Sequence, residues 1–154
     1  MPKEILYENG NPITGNYDIF CCQVNCKGVS ETILAKQIKE KYPEVYEKYV
    51  NSCSRGALNL GTILVVETSD SRKCICMFAQ DKYGRGAKTD YGAFKACLYN
   101  IKYVMNTLDK DLTIAFPYKI GCGKAGGDWE IIHDLIKNFA RKIEQPVIIV
   151  NTER

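Results

Sequence analysis

Four glycines fall within seven residues in the stretch Ile120-Gly121-Cys122-Gly123-Lys124-Ala125-Gly126-Gly127-Asp128-Trp129. An apolar run at residues 112–117 precedes this stretch, and an amphipathic helical pattern follows it. The sequence therefore predicts a strand, a glycine-rich loop and a helix N-terminus in succession. Glycines let backbone N–H groups approach a ligand, and the helix dipole favours negative charge there. The junction predicts a phosphate or pyrophosphate site, and the alternative is a glycine-rich connection without a ligand.

The composition is that of one ordinary globular domain, with 154 residues, 45% of them hydrophobic and 25% charged. The net charge of +3 arises from 21 basic and 18 acidic residues that are scattered along the chain, so it does not single out nucleic acid as a partner. No apolar run approaches the roughly 18 residues of a membrane span, and the N-terminus lacks a signal-peptide pattern. We therefore expect a single domain over residues 1–154, a cytoplasmic location and no membrane partner.

Eight cysteines occur without a CxxC pair, and His133 is the only histidine. This spacing predicts no zinc site, and we expect neither a metal nor a cofactor. Most of the cysteines lie in apolar runs, such as residues 19–22 and 74–77, where reduced thiols act as small hydrophobic groups. Cys122 differs, because it lies in the glycine-rich stretch near a helix start, where a thiol pKa can fall. A catalytic thiol is not favoured, since no histidine is near it in the sequence.

Hydrophobic patterning predicts alternating strands and helices. Strands are predicted at residues 5–7, 17–25, 62–66, 73–78, 112–116 and 146–151. The polar residues 68–71 suit a hairpin-like turn between the third and fourth strands. Helices are indicated by three apolar stripes: one bent or split near Pro43, one over residues 90–106, and one from Ile132 to Ile143 with Asp128 as its N-cap. This order predicts a three-layer α/β/α domain with a central mixed sheet, which binds its ligand at the carboxyl ends of strands.

Three parts of the chain together resemble the macro domain, the fold that binds ADP-ribose. The motif QVNCKGV at residues 23–29, with residues 35–38 and 41–46, looks like the first ligand loop and its following helix. FAQDKYGRG at residues 78–86, followed by residues 89–91, resembles the middle loop of many bacterial members. Pro117, IGCG at 120–123 and GGDW at 126–129 resemble the second ligand loop. The resemblance covers nearly the whole chain and points to the branch of ADP-ribose-1″-phosphate phosphatase-like proteins and terminal ADP-ribose protein glycohydrolases.

The resemblance implies that ADP-ribose or a derivative of it is the ligand. It places Asn11 where many members carry an aspartate that reads the adenine amino group, and Asn25 near the distal ribose. The alternative for Asn25 is a strand-end residue that caps backbone groups. Tyr91 and Phe116 are expected either to flank the pocket or to lie in the core. The remaining binding residues implied are Ser30, Thr32, Gln80, Tyr83, Ile120, Gly121, Cys122, Gly123, Lys124, Ala125, Gly126 and Gly127.

Two departures from the family pattern bear on function. After Gly28-Val29 the usual glycine-rich stretch is replaced by residues 30–33, which suggest a helix start capped by Ser30, while Glu31 would repel a phosphate unless it points away. The glycohydrolase relatives also use a lysine and an aspartate at positions that here hold Gln80 and Ala125, with Lys82 and Asp128 nearby but out of register. Neither glutamine nor alanine can attack the ribose or transfer a proton, so that covalent route is not expected.

Three functions stay open at this point. Binding of ADP-ribose or a derivative is favoured. The alternatives are a hydrolase acting on the distal ribose, removing a 1″-phosphate or an ADP-ribosyl ester, and an interaction domain without a nucleotide ligand. Candidate acid–base groups for the hydrolase are Asn25, Glu31 and Asp128. ADP-ribosylated protein and nucleic acid are both candidate partners, and the sequence does not determine the oligomeric state.

Overall fold

The computed structural model describes residues 3–29, 32–54, 60–83, 86 and 88–152. Strands and helices alternate in these ranges, as the apolar patterning predicts. The elements are β1 (Leu6–Asn9), β2 (Ile19–Asn25), α1 (Ile33–Lys41), α2 (Pro43–Ser54), β3 (Ile63–Glu67), β4 (Lys73–Gln80), α3 (Tyr91–Asn106), β5 (Ile114–Pro117), α4 (Trp129–Ala140) and β6 (Val147–Asn151).

The strands form one mixed sheet in the order β1-β6-β5-β2-β4-β3. Neighbouring strands are parallel except β3 and β4, which pair antiparallel across the predicted turn at residues 68–71. In that turn the Ser71 N–H donates to the Thr68 carbonyl at 3.0 Å. Parallel strands that are covered on both faces carry continuous apolar runs, and residues 74–79 of β4 are all buried.

Helices cover both faces of the sheet and confirm the three-layer α/β/α arrangement. One layer consists of α1 and α2, which pack on a cluster that includes Phe20, Tyr42, Tyr49 and Phe78. The other consists of α3 and α4, which pack on a larger cluster around β5 and β6. The helix predicted to reach Ile143 is shorter than expected, because α4 ends at Ala140. Ile143 follows the helix, and its side chain is still buried in the core. Within the described residues, no helix has both the length and the apolar character needed to cross a membrane.

Helix boundaries follow local chemistry. Proline cannot donate a backbone hydrogen bond within a helix, and the predicted long helix is split at Pro43 into α1 and α2. The Asp128 carboxylate caps α4 by accepting the Glu130 N–H, as predicted. The prediction of Ser30 as the cap of α1 is wrong, because the Thr32 hydroxyl holds that position and accepts the Ala35 N–H at 3.1 Å. Ser30 and Glu31 themselves lie outside the described residues.

The carboxyl ends of four parallel neighbours meet at one edge of the sheet. β2 ends at Asn25, β4 at Gln80, β5 at Pro117 and β6 at Asn151. The segments that follow these strands therefore converge there, and they include all three stretches that resemble ligand loops.

Candidate functional site

A cleft of about 750 Å³ opens at this edge, where the sequence predicts the ligand. Its wall combines the ends of the strands, the N-terminal half of α1, part of α2 and the glycine-rich loop. The described lining residues are Cys22, Gln23, Val24, Asn25, Val29, Thr32, Ile33, Leu34, Ala35, Lys36, Ile38, Val45, Tyr46, Tyr49, Cys76, Gln80, Pro117, Tyr118, Lys119, Ile120, Gly121, Cys122, Gly123, Lys124, Ala125 and Thr152.

The glycine-rich loop, defined here as residues 118–128, is shaped by its backbone. Gly121 has a φ of +75°, and a Cβ atom added to it would lie 2.6 Å from Oε1 of Gln23. The Gly127 N–H donates to the Gly121 carbonyl at 2.9 Å and closes the loop. A Cβ atom on Gly123 would meet no atom within 4 Å, so this glycine faces open space. The loop is tightly packed at Gly121 and open to a ligand at Gly123.

Backbone donors of this loop are available to a ligand. The N–H groups of Gly121, Gly123 and Ala125 donate to no other group in the described part of the chain. The loop leads directly into the N-terminus of α4, whose dipole adds a partial positive charge. This arrangement suits a group rich in hydrogen-bond acceptors, such as a diphosphate.

The charge of the cleft also favours an anion. Lys36, Lys119 and Lys124 line it, and its described lining residues include no carboxylate. The Lys119 ammonium lies 5.4 Å from the centre of the Tyr118 ring. Lysines thus lie both on α1 and on the glycine-rich loop, and no negatively charged side chain occurs among these lining residues. The cleft therefore attracts phosphate groups.

The segment after β4 holds the glycine-rich loop in position. The Lys88 and Thr89 N–H groups donate to the Ala125 carbonyl at 2.7 and 3.1 Å. The Thr89 hydroxyl donates to the Gly121 carbonyl at 2.7 Å. Both ends of the open part of the loop are therefore fixed to the middle segment of the chain.

Gln23, near the end of β2, extends this network, although no role for its side chain is predicted from the sequence. Its Nε2 donates to the Thr89 hydroxyl at 2.9 Å and to Oε1 of Gln80 at 2.8 Å. Its own Oε1 is buried without a partner in the described part of the chain. A polar residue at the end of a buried strand was the only signal that sequence reasoning could have used.

Gln80 and Ala125, which the resemblance aligns with a lysine and an aspartate of glycohydrolase members, both lie on the cleft wall. The Gln80 side chain accepts from Gln23 and donates its Nε2 to the Lys82 carbonyl at 2.8 Å. Ala125 contributes a buried methyl group and a carbonyl that is already bonded. Neither residue offers a nucleophile or an acid at its position, so these side chains hold the wall together and do not react.

Asn25 lies on the cleft wall, and both polar atoms of its side chain form hydrogen bonds. Its Nδ2 donates to the Val29 carbonyl at 2.6 Å, and its Oδ1 accepts the N–H groups of Lys27 and Val29 at 3.0 and 3.2 Å. Oδ1 also accepts the buried Tyr49 hydroxyl at 2.8 Å, and burial raises the pKa of that tyrosine. This geometry supports the interpretation of Asn25 as a residue that caps backbone groups and shapes the first loop.

Several predicted binding residues lie off the described cleft wall. Asn11 accepts the Ile13 N–H at 2.7 Å and donates to Gln37 at 3.0 Å, so it stabilises its own turn, and its proposed contact with adenine stays a prediction. The Asp128 carboxylate caps α4, and Phe116 is buried in the core. The described cleft wall also does not include Gly126, Gly127 or Tyr91. The Tyr91 hydroxyl accepts the Asp128 N–H.

The Cys122 thiol is not activated by its place near a helix start. Burial raises its pKa to about 11, and the nearby Asp128 carboxylate acts in the same direction. The lowered pKa that a helix start can produce does not occur here, because desolvation and a negative neighbour raise the pKa of this thiol. The thiol donates to the Ile120 carbonyl at 3.4 Å and is a packing group of the loop.

A second groove adjoins the cleft beyond the first loop. It is lined by Lys27, Val29, Lys82 and Tyr83, and it shares Val29 with the cleft. Tyr83 is 49% exposed, and the Lys27 ammonium lies 3.7 Å from the Asp81 carboxylate. Tyr83, predicted as a binding residue, therefore belongs to this groove.

Comparisons with known proteins identify relatives of this chain. The chain is 32% identical, over 94% of its length, to the DNA ADP-ribosyl glycohydrolase of Mycobacterium tuberculosis, and it spans 41% of that protein. It is 26% identical over 84% of its length to a 17.5 kDa protein from the tk-vs intergenic region of Enterobacteria phage T4, of which it covers 83%.

Solved structures show the same fold. The macrodomain of Mycobacterium tuberculosis DarG superposes with a TM-score of 0.84 at 22% identity, covering 98% of this chain and 99% of that chain. Thermosipho africanus DarTG in complex with ADP-ribose superposes with a TM-score of 0.82 at 20% identity, covering 100% of this chain and 44% of that one. The model of the family described as Macro domain matches residues 23–136. The chain therefore belongs to the macro domain family.

Proposed function

We propose that this macro domain binds ADP-ribose, or a derivative of it, with the diphosphate on the glycine-rich loop. One observation carries the proposal: Gly121, Gly123 and Ala125, whose N–H groups have no partner among the described residues, line a cleft whose described wall has three lysines and no carboxylate. A diphosphate supplies acceptor oxygens for these N–H donors and negative charge to balance the lysines.

The dimensions of the cleft support a ligand with two nucleoside-like ends. Its volume of about 750 Å³ lies within the range of roughly 300–1,000 Å³ that is typical of small-molecule sites. It extends from Thr152, beyond the end of β6, to Asn25 and Val29 at the end of β2. The glycine-rich loop lies between these ends, so a central diphosphate would place a ribose towards each of them. The relative solved with ADP-ribose has the same fold, which supports this choice.

Calorimetry with ADP-ribose tests the proposal, and Gly123→Glu is the decisive variant. The new side chain enters open space at the mouth of the loop, where its carboxylate competes with the diphosphate. We expect affinity to fall at least a hundredfold. Asn138→Glu, which adds the same charge to an exposed position on α4, is the matched control and should bind normally. Equal affinity in the two variants would show that the ligand lies elsewhere.

A second candidate function is removal of ADP-ribose from nucleic acid. Here the second groove is the supporting observation, because Lys82 and the exposed Tyr83 place positive charge and a stacking surface beside the distal end of the ligand, next to the Lys27–Asp81 pair. The curated relative named DNA ADP-ribosyl glycohydrolase points the same way. With Gln80 and Ala125 at the two reactive positions, the hydrolysis would need water as the nucleophile.

Three substrates separate binding from hydrolysis. They are an ADP-ribosylated oligonucleotide, a glutamate-linked ADP-ribosylated protein and ADP-ribose-1″-phosphate. Turnover of the oligonucleotide that weakens at least tenfold in a Lys82→Ala, Tyr83→Ala double variant would support the second candidate. Tyr99→Ala, which removes an exposed tyrosine on α3, is the control. If none of the three substrates is cleaved, the function is binding.

A further inference from the structure

Three cysteine side chains converge on the sheet face covered by α1 and α2. Cys22 in β2 is paired directly with Cys76 in β4, and Cys74 lies two residues earlier on the same face. The sulfur atoms of all three lie within 4.8 Å of one another, and the Cys22 and Cys76 sulfurs are 4.0 Å apart. All three are free cysteines, so each can supply a thiolate.

The separation of the sulfurs suits a single metal ion. Zinc–sulfur bonds are about 2.3 Å long, which places sulfurs about 4.0 Å apart in a trigonal arrangement and about 3.8 Å apart in a tetrahedral one. The Cys22–Cys76 distance of 4.0 Å already matches these values. The third sulfur lies within 4.8 Å of the other two, so a movement of at most about 1 Å brings it into the same range.

The cluster is reached from the cleft. Cys22 and Cys76 line its inner part together with Ile38, Val45 and Tyr49, while Cys74 is fully buried behind them. No histidine or carboxylate occurs among the described lining residues, so the described protein supplies three ligands. A fourth coordination position would face the inner, apolar part of the cleft.

We propose that Cys22, Cys74 and Cys76 form a three-thiolate site for a thiophilic divalent cation, with Zn²⁺ as the biological ion and its fourth position open to the cleft. Binding exchanges three thiol protons for the ion and needs no oxidant. Three thiolates leave a net charge of −1 around a divalent ion but −2 around Cu⁺. Because burial of charge is costly in apolar surroundings, the divalent ion is favoured.

The proposal does not require ADP-ribose to bind, because the ion would contribute to the fold through the protein's own side chains. An ion held by β2 and β4 joins two central strands directly beneath the first loop. Since the three cysteines converge only in the folded chain, the ion binds the native state preferentially and raises its thermal stability.

Titration of the reduced, chelator-treated full chain tests the proposal. Co²⁺ serves as the spectroscopic probe because thiolate ligation gives a charge-transfer absorption, and Zn²⁺ is then added as the competitor. We expect one ion per chain, displacement of Co²⁺ by Zn²⁺, and an upward shift of the melting temperature with Zn²⁺. Cys22→Ala should weaken binding at least a hundredfold and abolish the charge-transfer band.

Cys21→Ala is the matched control, because Cys21 is the adjacent residue of β2 and faces the opposite layer. It should bind the ion as the parent does. Circular dichroism of each variant without metal checks the fold, and Cys76→Ala replaces Cys22→Ala if the latter is not folded. Absence of a charge-transfer band in the parent protein would overturn the proposal, and so would its retention in a folded Cys22→Ala or Cys76→Ala variant.

Discussion

Two loops border the cleft, and they are built in opposite ways. The glycine-rich loop is shaped mainly by its backbone, with Gly121 at positive φ and its carbonyl accepting from the Gly127 N–H as well as from the Thr89 hydroxyl. The first loop is held by one side chain, because Asn25 bonds the backbone at Lys27 and at Val29. Substitutions that add atoms should therefore disturb the glycine-rich loop, whereas substitutions that remove the Asn25 side chain should disturb the first loop.

This difference also separates the contributions of the two loops to function. The glycine-rich loop presents its own N–H groups to the ligand, so its backbone shape is the binding site. The first loop depends on a buried amide and on Tyr49 behind it, so its shape is a consequence of packing between β2 and α2. Changes in the first loop should appear mainly in stability, and changes in the glycine-rich loop mainly in affinity.

Asn25→Ala should have the largest effect on stability. It removes four hydrogen bonds and leaves partly buried backbone groups of the first loop and the buried Tyr49 hydroxyl without this partner. Because unsatisfied buried groups each cost about 1–3 kcal/mol, we expect the free energy of unfolding to fall by about 3 kcal/mol. Urea denaturation measures this, and the exposed Asn138→Ala is the control. A loss below about 1 kcal/mol would contradict the role assigned to Asn25.

Gly121→Ala should show the opposite balance, with a modest loss of stability and a clear loss of affinity. The left-handed backbone costs a non-glycine residue roughly 1–2 kcal/mol, and the new Cβ would lie 2.6 Å from Oε1 of Gln23. The loop must shift, and we expect the affinity for ADP-ribose to fall at least tenfold. Gly123→Ala, whose Cβ meets open space, should leave stability unchanged within about 0.5 kcal/mol. Equal destabilisation by the two variants would mean that the loop is not packed as described.

Tyr49→Phe refines the comparison by removing only the support behind the first loop. The hydroxyl donates to the carbonyl and to Oδ1 of Asn25 at 2.7 and 2.8 Å, while the ring packs beside Phe78. We expect a loss of about 1 kcal/mol in the free energy of unfolding, typical of one buried hydrogen bond, and unchanged ADP-ribose affinity. A tenfold loss of affinity with little loss of stability would place Tyr49 in direct contact with the ligand.

Cys122 should report on the glycine-rich loop without changing stability. Its pKa of about 11 lies above the usual thiol value, so the neutral thiol is favoured in the folded chain and only roughly one molecule in a thousand carries a thiolate at pH 8. Alkylation followed by mass spectrometry should therefore accelerate about tenfold per pH unit from pH 7 to pH 10. Bound ADP-ribose should slow the reaction. A rate that is already maximal at pH 8 would show that the thiol is activated after all.

Most of the fold could be predicted from the sequence because its signals are local. Apolar runs and stripes gave all six strands, and Pro43 marked the division between α1 and α2. The boundaries that failed depend on context. Thr32 and Ser30 are both acceptable caps, and only the path of the chain selects Thr32. Ile143 continues the helical spacing of α4 although the helix ends before it, because the core accepts the side chain from a turn as well.

The candidate site was predictable where the residue type itself indicates an accessible backbone, as the glycines do in the glycine-rich loop. It was not predictable where side chains from distant positions meet. The Gln23 network depends on the ends of β2 and β4 lying side by side. The cysteine cluster has the same origin, since strand register brings Cys22 opposite Cys76 although they are 54 residues apart. A search for CxxC spacing cannot detect such a cluster.

The hydrogen bonds from the glycine-rich loop through Thr89, Gln23 and Gln80 end at the Lys82 carbonyl, in the wall of the second groove. The glycine-rich loop and the second groove are therefore connected by one continuous series of hydrogen bonds. By thermodynamic reciprocity, a molecule in the groove that alters this connection changes the affinity of the loop, and a ligand on the loop changes the groove by the same factor. In an ADP-ribosylated molecule, the nucleotide would bind the loop and the molecule that carries it would bind the groove. The two parts would then bind cooperatively, coupled by two side-chain amides and one hydroxyl.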